Sequence, residues 1–71
     1  MTRKLIPAVT TCHAREWGAG TVLASSRWQR PRRILRVSAA EVLVSQQRAD
    51  GRTEYHRSTR LPADVREVAR G

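Results

Sequence analysis

The apolar residues of this chain come in short runs separated by turn-forming residues. No uninterrupted apolar run reaches five residues, whereas a membrane-spanning helix needs about 18–20. Runs of this length suit β-strands, which commonly contain roughly 3–10 residues. The spacing therefore predicts short strands joined by tight turns, and it excludes a membrane-spanning helix.

Turn residues divide the first half of the chain into three predicted strands. An irregular strand covers Leu5 to His13, with Pro7 near its start. A turn is predicted at 17–20, because its two glycines allow backbone angles that are closed to other residues. The pattern then predicts, in order, a strand at 21–25, a polar loop at 26–31 and a strand at 33–37.

The segment from Ser38 to Gly51 fits two structures. Ser38 and Glu41 match a helix capping box, and Gly51 suits a helix end, so one interpretation is a helix over about 39–50. The other is a hairpin, because the Asp-Gly pair at 50–51 is a strong turn signal. We favour the hairpin, since residues 53–58 are extended in character and would form its second strand.

The end of the chain, residues 61–71, predicts a short helix. Pro62 suits the first helical turn, Asp64 lies near the positive end of the helix dipole and Arg70 near the negative end. With five predicted strands, the chain is expected to be mainly β: a small five-stranded barrel with a short C-terminal helix. Closure of a barrel would leave few open strand edges.

The charge balance and the length limit the function. Fourteen Lys and Arg against six Asp and Glu give a net charge of +8, and Lys4 is the only lysine. We expect a single small domain over 1–71, with 1–4 as a flexible N-terminal arm and a core thin enough to be compatible with a homodimer. A lone Cys12 cannot form an internal disulfide, which favours the cytoplasm.

One segment resembles a known family. Its pattern is His-Ala-basic-aromatic-Gly-x-Gly-Thr-aliphatic-aliphatic, matched by His13, Ala14, Arg15, Trp17, Gly18, Gly20, Thr21, Val22 and Leu23, with Glu16 as an extra residue. This resembles the start of the Tudor/SH3-like domain at the C-terminus of UvrD/PcrA-type helicases, and related barrels in CarD-type transcription factors. The family's Gly-x-x-Val lead-in is absent. The resemblance implies an SH3/Tudor-like barrel that docks on RNA polymerase or nucleic acid.

The strongest binding signal is a basic loop around an aromatic residue. Within seven residues and without an acid, the sequence places Arg27, Trp28, Arg30, Pro31, Arg32 and Arg33. A guanidinium can hold two phosphate oxygens, and an exposed indole can stack on an unpaired base. The loop is therefore predicted to contact nucleic acid. The alternative is a solvated loop whose Trp28 folds back over the end of the barrel.

A second basic set continues along the chain at Arg48, Arg52, Arg57 and Arg60. On a strand over 53–58, Tyr55 and Arg57 share a face. They could form a strip that stacks on bases and binds phosphates, but we expect Tyr55 to fill the core and Arg57 to extend past it. Trp17, directly before two glycines, is expected to be structural.

Metal binding, cofactors and catalysis are not expected. The only histidines are His13 and His56, and no CxxC or HxxxH motif occurs. No glycine-rich phosphate loop is present either. The chain is therefore expected to be a binding module rather than an enzyme.

Two hypotheses of function remain. The first is a small regulatory nucleic-acid-binding module, for DNA or RNA, from a bacterium or phage with GC-rich coding; its predicted contacts are Arg27, Trp28, Arg30, Arg32, Arg33 and Arg57. The alternative is a protein-interaction module that docks on RNA polymerase or another nucleic-acid enzyme, with Trp28 as a buried anchor. A helix over 39–50 would favour a third class, a helix-turn-helix-like or winged DNA binder.

Overall fold

The computed structural model describes residues 4–70 of the chain. These residues form seven strands and one helix: β1 (Leu5–Pro7), α1 (Ala8–Ala14), β2 (Val22–Ala24), β3 (Arg32–Val37), β4 (Val42–Gln47), β5 (Thr53–Ser58), β6 (Arg60–Pro62) and β7 (Arg66–Ala69). The prediction of a mainly β fold is confirmed. The predicted N-terminal arm, apart from Lys4, lies outside the described residues.

The strands form one large antiparallel sheet and one small one. The large sheet has the order β5-β4-β3-β2-β7, and β1 pairs with β6 in the small sheet. Because the edge strands β5 and β7 do not pair with each other, the large sheet is open and the predicted closed barrel is wrong. Its short strands give a physical reason: β2 has three residues and its pairing with β7 shifts register between Val22 and Leu23, whereas closure needs continuous stagger around the ring.

The core lies between the inner face of the large sheet and the layer formed by α1 with the small sheet. Buried side chains from both layers meet there: Ala8, Cys12, Trp17, Leu23, Ile34, Val42, Val44, Leu61 and Val65. None of them is Phe or Tyr, so the core is built mainly from small aliphatic side chains. The small sheet and α1 thus cover the apolar face that ring closure would otherwise enclose.

The hairpin at the Asp-Gly pair is confirmed. Strand β4 pairs with β5 over six positions, from Val42 opposite Ser58 to Gln47 opposite Thr53. Gly51 has a φ of 86°, a left-handed value that favours glycine. Val42 and Val44 are buried while Leu43 between them is only partly buried, which is the two-residue period of a strand. The helix over 39–50, and with it the helix-turn-helix interpretation, is therefore wrong.

The first predicted strand is correct only over its first residues. Strand β1 ends at Pro7, and helix α1 follows instead of a continued strand. Ala8 and Cys12 are four residues apart, so they lie on one helix face, and both are buried. The β-branched residues Val9, Thr10 and Thr11 favour a strand locally, but the helix brings Ala8 and Cys12 within about one turn of each other, so that both pack in the same core cluster.

Helix α1 ends in a left-handed residue. Glu16 has a φ of 58°, and the N–H of Trp17 donates to the carbonyl of Cys12 over 2.8 Å. This hydrogen bond spans six residues, as in a Schellman motif. Glu16 is the extra residue in the pattern of 13–23, and it supplies the bend that carries Trp17 into the core.

The predicted C-terminal helix is wrong; the one short helix of the described chain is α1. Residues 60–62 and 66–69 are strands instead, the first pairing with β1 and the second with β2. The prediction rested on local signals at Pro62, Asp64 and Arg70. In the structure Asp64 instead accepts hydrogen bonds from Ser25 and Ser26. As a strand, the segment gives β2 its second hydrogen-bonded neighbour, a contribution that a helix could not make.

Candidate nucleic-acid interface

The face of the large sheet opposite the core, here called the outer face, carries a row of aligned residues. Buried Ile34 pairs with buried Val44, so the neighbouring positions point away from the core. The pairs along this row place Ala69, Val22, Arg33, Ser45 and Tyr55 side by side across all five strands. Arg33 and Tyr55 are therefore two strands, or about 10 Å, apart.

A groove opens beside this row. Its volume is about 540 Å³, and it is lined by Val22, Arg30, Pro31, Arg33, Ser45, Gln47 and Thr53. The two arginines are the charged residues of this lining, and the rest are small, polar or apolar. We call this the basic groove. It can accept an anion without an acidic side chain in its wall.

A second outer row runs parallel to the first. Arg36 pairs with Leu43, and Leu43 with Arg57. Arg57 forms an ion pair with Glu41, with 3.6 Å between Nε and Oε2, and its side chain is 80% exposed. An ion pair this exposed is worth little energy, so a phosphate can displace it. The basic groove and this second row thus bring four arginines to the outer face: Arg30, Arg33, Arg36 and Arg57.

Most carboxylates of the described chain are engaged elsewhere. Asp50 and Glu54 pair with Arg48 at the hairpin, Glu67 pairs with Arg70, and Asp64 binds two serines. Among residues 4–70, no carboxylate lies within ion-pair distance of Arg30, Arg33 or Arg36. The outer face consequently carries Arg30, Arg33 and Arg36 without an acidic partner, and an exposed aromatic ring lies two strands from Arg33.

Tyr55 is that ring, and the expectation that it fills the core is wrong. The residue is 66% exposed, because Tyr55 pairs with outer-face Ser45 while its neighbours Glu54 and His56 face inward. The residue was missing from the predicted site. The alternation places Thr53, Tyr55 and Arg57 on one face. Because Glu54 and His56 on the other face are also polar, the pattern does not show which face is exposed.

Trp28, by contrast, is partly buried and packs against the core. The guanidinium of Arg32 lies over its ring, 4.5 Å from the ring centroid. Arg32 also donates from Nε to Oε1 of Gln46 over 2.7 Å. Burial lowers the pKa of the Arg32 guanidinium, an effect opposed by the charge of Glu54. One face of the indole is therefore covered by Arg32. Trp28 thus fits the alternative given above, in which it folds back instead of facing a ligand.

The predicted site residues consequently separate into three groups. Arg30, Arg33 and Arg57 lie on the outer face, whereas Trp28 and Arg32 stack on each other at the core side of the sheet. Arg27 is exposed in the turn after β2, where its N–H donates to Oγ of Ser25 over 3.1 Å. The structure brings together half of the predicted set and adds Tyr55 and Arg36.

The start of the basic loop is fixed by a carboxylate. Ser25 donates from Oγ to Oδ1 of Asp64 over 2.6 Å, and both the N–H (3.0 Å) and the hydroxyl of Ser26 donate to Oδ2. The hydrogen bond from Ser25, followed by those from Ser26, lowers the pKa of Asp64 to about 2. These bonds join the loop after β2 to the turn before β7.

We expect this anchor to make stability depend on acidity. Because its folded pKa is below the ordinary 3.8, the ionised Asp64 stabilises the fold fully above about pH 4, and this contribution disappears as the pH falls toward 2. Asp64→Asn should therefore have a lower urea midpoint than the parent at pH 6, and the difference should shrink toward pH 2.

A matched control removes a charge without removing the serine contacts. Glu16 is exposed, and no hydrogen bond to its carboxylate occurs within residues 4–70. Glu16→Gln should leave the urea midpoint close to that of the parent at both pH values. A midpoint difference for Asp64→Asn that stays constant from pH 6 to pH 2 would contradict the proposed role of the ionised carboxylate.

Trp17 and Cys12 lie in the core and not in the candidate interface. Trp17 is 6% exposed, which confirms its structural role, and Cys12 is buried, which raises the pKa of its thiol. In the part of the chain that the structure describes, no group of three or more His, Cys, Asp or Glu side chains could hold a metal ion. Over the same residues, no helix is long and apolar enough to cross a membrane.

Comparisons with protein-family models, with curated proteins and with solved structures returned no match. The geometry of the outer face and the resemblance over 13–23 are therefore the grounds on which a function can be proposed.

Proposed function

We propose that this chain binds nucleic acid through the outer face of its large sheet. The observation that carries the proposal is the basic groove, in which Arg30 and Arg33 face solvent without an acidic partner beside an exposed Tyr55. Phosphate groups complement guanidinium groups in both charge and geometry. The net charge of +8 adds long-range attraction to any polyanion.

The proposed site lies mainly on the strands of the large sheet and not on the basic loop alone. A sheet holds its side chains at fixed spacing, so Arg33, Arg36 and Arg57 are positioned by backbone pairing and not by a mobile loop. Pre-positioned donors lose less conformational entropy on binding. Arg30 reaches the same groove from the loop, whose base is anchored through Asp64. We also propose that the fold is an open relative of the Tudor/SH3-like barrels, based on residues 13–23 and the five-stranded antiparallel sheet, and that the module is regulatory.

Salt dependence tests the proposal directly. With four phosphate contacts, the logarithm of the association constant should fall with the logarithm of salt concentration at a slope of about −3 on a single strand. Fluorescence polarisation of a labelled oligonucleotide of about 12 nucleotides, titrated at about 50 mM and about 200 mM salt, measures this slope. Absence of binding at low salt would overturn the proposal and favour an acidic protein surface, such as one on RNA polymerase, as the partner.

Arg33→Gln should weaken binding by roughly tenfold at low salt, equivalent to about 1.4 kcal/mol, and reduce the salt slope by about 0.7. Arg33 is exposed, so its loss should change the free energy of unfolding by less than about 0.5 kcal/mol. Arg60→Gln is the matched control, because Arg60 is also exposed but belongs to the small sheet. Equal losses of affinity for the two variants would show that only net charge matters.

A further inference from the structure

The exposed tyrosine next to the basic groove narrows the class of nucleic acid. Building on the proposed function, we infer that the outer face selects single strands, with an unpaired base stacked on Tyr55 and the adjoining phosphates held by Arg33 and Arg30. The inference rests on the position of the ring, the width of the sheet and the charge around the groove.

The ring is available for stacking. Tyr55 is 66% exposed on edge strand β5, and it lies on the same side of that strand as Thr53 of the groove and Arg57. Neither of the two cation–aromatic contacts in the described chain involves Tyr55: Arg15 covers Trp17 and Arg32 covers Trp28. Of the three aromatic residues, Tyr55 is thus the one whose ring solvent reaches most freely.

A base can reach such a ring only when it is unpaired. In a duplex, the faces of the bases are stacked on one another, and proteins meet base edges and phosphates. In a single strand, the bases can turn out and stack on aromatic side chains, and this contact is worth about 1–3 kcal/mol per base. An exposed tyrosine therefore adds affinity for single strands and little for duplex DNA.

The shape of the sheet points to the same ligand. Five strands spaced about 4.8 Å apart make a face about 19 Å wide, which exceeds the major-groove width of about 12 Å. The row from Arg33 to Tyr55 extends over three of these strands, whereas the major groove admits a ribbon of two strands, so the flat face of the sheet cannot lie in that groove. Helix α1 has seven residues and turns Ala8 and Cys12 into the core, which leaves the sheet face as the contact surface.

The spacing fits a base with its neighbouring phosphate. Arg33 lies about 10 Å from Tyr55 across the sheet, with Ser45 between them. The basic groove adjoins this row, and its volume of about 540 Å³ is typical of a site for one small ligand. A nucleotide unit can therefore span from ring to guanidinium, and the sugar-phosphate backbone continues along the groove.

The test compares probes that differ in one feature. Fluorescence polarisation at fixed salt uses a thymidine strand of about 12 residues, the same strand paired with its complement, and a strand of equal length that is abasic throughout its centre. We expect the single strand to bind at least about tenfold more tightly than the duplex or the abasic strand. A uridine strand of the same length shows whether the ribose 2′-hydroxyl contributes.

Tyr55→Ala should weaken binding of the thymidine strand by about 5- to 150-fold while leaving binding of the abasic strand nearly unchanged. Tyr55→Phe retains the ring and should bind within about twofold of the parent. Because Tyr55 is mostly exposed, both variants should keep the urea midpoint of the parent. Val68→Ala, at an apolar residue that is 50% exposed on β7, controls for loss of exposed apolar surface.

The outcomes separate the two proposals. Equal affinity for single strand, duplex and abasic strand, with Arg33→Gln still weakening all three, would overturn the stacking inference and leave the proposed function standing. No binding to any probe would overturn both. Both proposals are supported if Tyr55→Ala loses the preference for the single strand while Tyr55→Phe and Val68→Ala keep it.

Discussion

Leu23→Ala is expected to lower the free energy of unfolding by about 2–5 kcal/mol. Leu23 is fully buried on β2, a three-residue strand that pairs with both β3 and β7. Alanine would leave a cavity at the point where these strands meet the core. The total stability of a chain of this length is roughly 4–10 kcal/mol, so the variant should be near the limit of folding at room temperature.

Urea unfolding followed by circular dichroism measures this loss. Leu35→Ala is the matched control, because Leu35 is 36% exposed at the register shift in β3 and the same change there should cost less than about 1 kcal/mol. Similar losses at the two leucines would mean that the core is not concentrated at β2. A changed slope of the unfolding free energy against urea concentration would indicate an altered unfolded or folded state instead.

Trp28→Ala is expected to lower the free energy of unfolding by about 2–3 kcal/mol. The indole packs against the core and supports the Arg32 guanidinium that binds Gln46. Its removal takes away both the packing and the stacked surface. Trp28→Phe retains an aromatic face for Arg32 and should recover most of the loss, leaving a difference of about 1 kcal/mol.

The same variant separates a structural role from a binding role for Trp28. At a temperature where Trp28→Ala is folded, its affinity for a single strand should stay within about threefold of the parent, because the indole is already covered on one face by Arg32. Tyr55→Ala should show the opposite pattern, with unchanged stability and lost affinity. If Trp28→Ala folds and loses affinity as strongly as Tyr55→Ala does, the basic loop itself stacks on bases.

Two features of the candidate site could be predicted from local pattern. The density of arginine over 27–33 identified Arg30 and Arg33, and strand alternation placed Tyr55 and Arg57 on one face. Which face would be exposed could not be predicted in this way. Both faces of β5 carry polar side chains, so their pattern lacks the hydrophobic contrast that normally marks the buried side.

The partial burial of Trp28 could not be predicted from the local sequence either. A tryptophan among arginines suggests a contact surface, and the sequence contains the residue that covers it, Arg32, four positions later. Whether a guanidinium stacks on its neighbour or points to solvent depends on where Gln46 of β4 lies, and that position is set by the pairing of β3 with β4. The contact is tertiary, so the loop alone does not specify it.

The local sequence determined the elements in which short-range chemistry dominates. The Asp-Gly turn set the β4–β5 hairpin, since Gly51 adopts a positive φ that other residues rarely tolerate, and the extended character of residues 53–58 indicated its second strand. Tertiary structure decided the segments with mixed signals. Residues 8–14 became a helix because that conformation buries Ala8 and Cys12 together, and residues 66–69 became a strand because β2 needed a hydrogen-bonding partner along its free edge. In each of these segments, burial and backbone pairing contribute more free energy than the modest differences in local propensity.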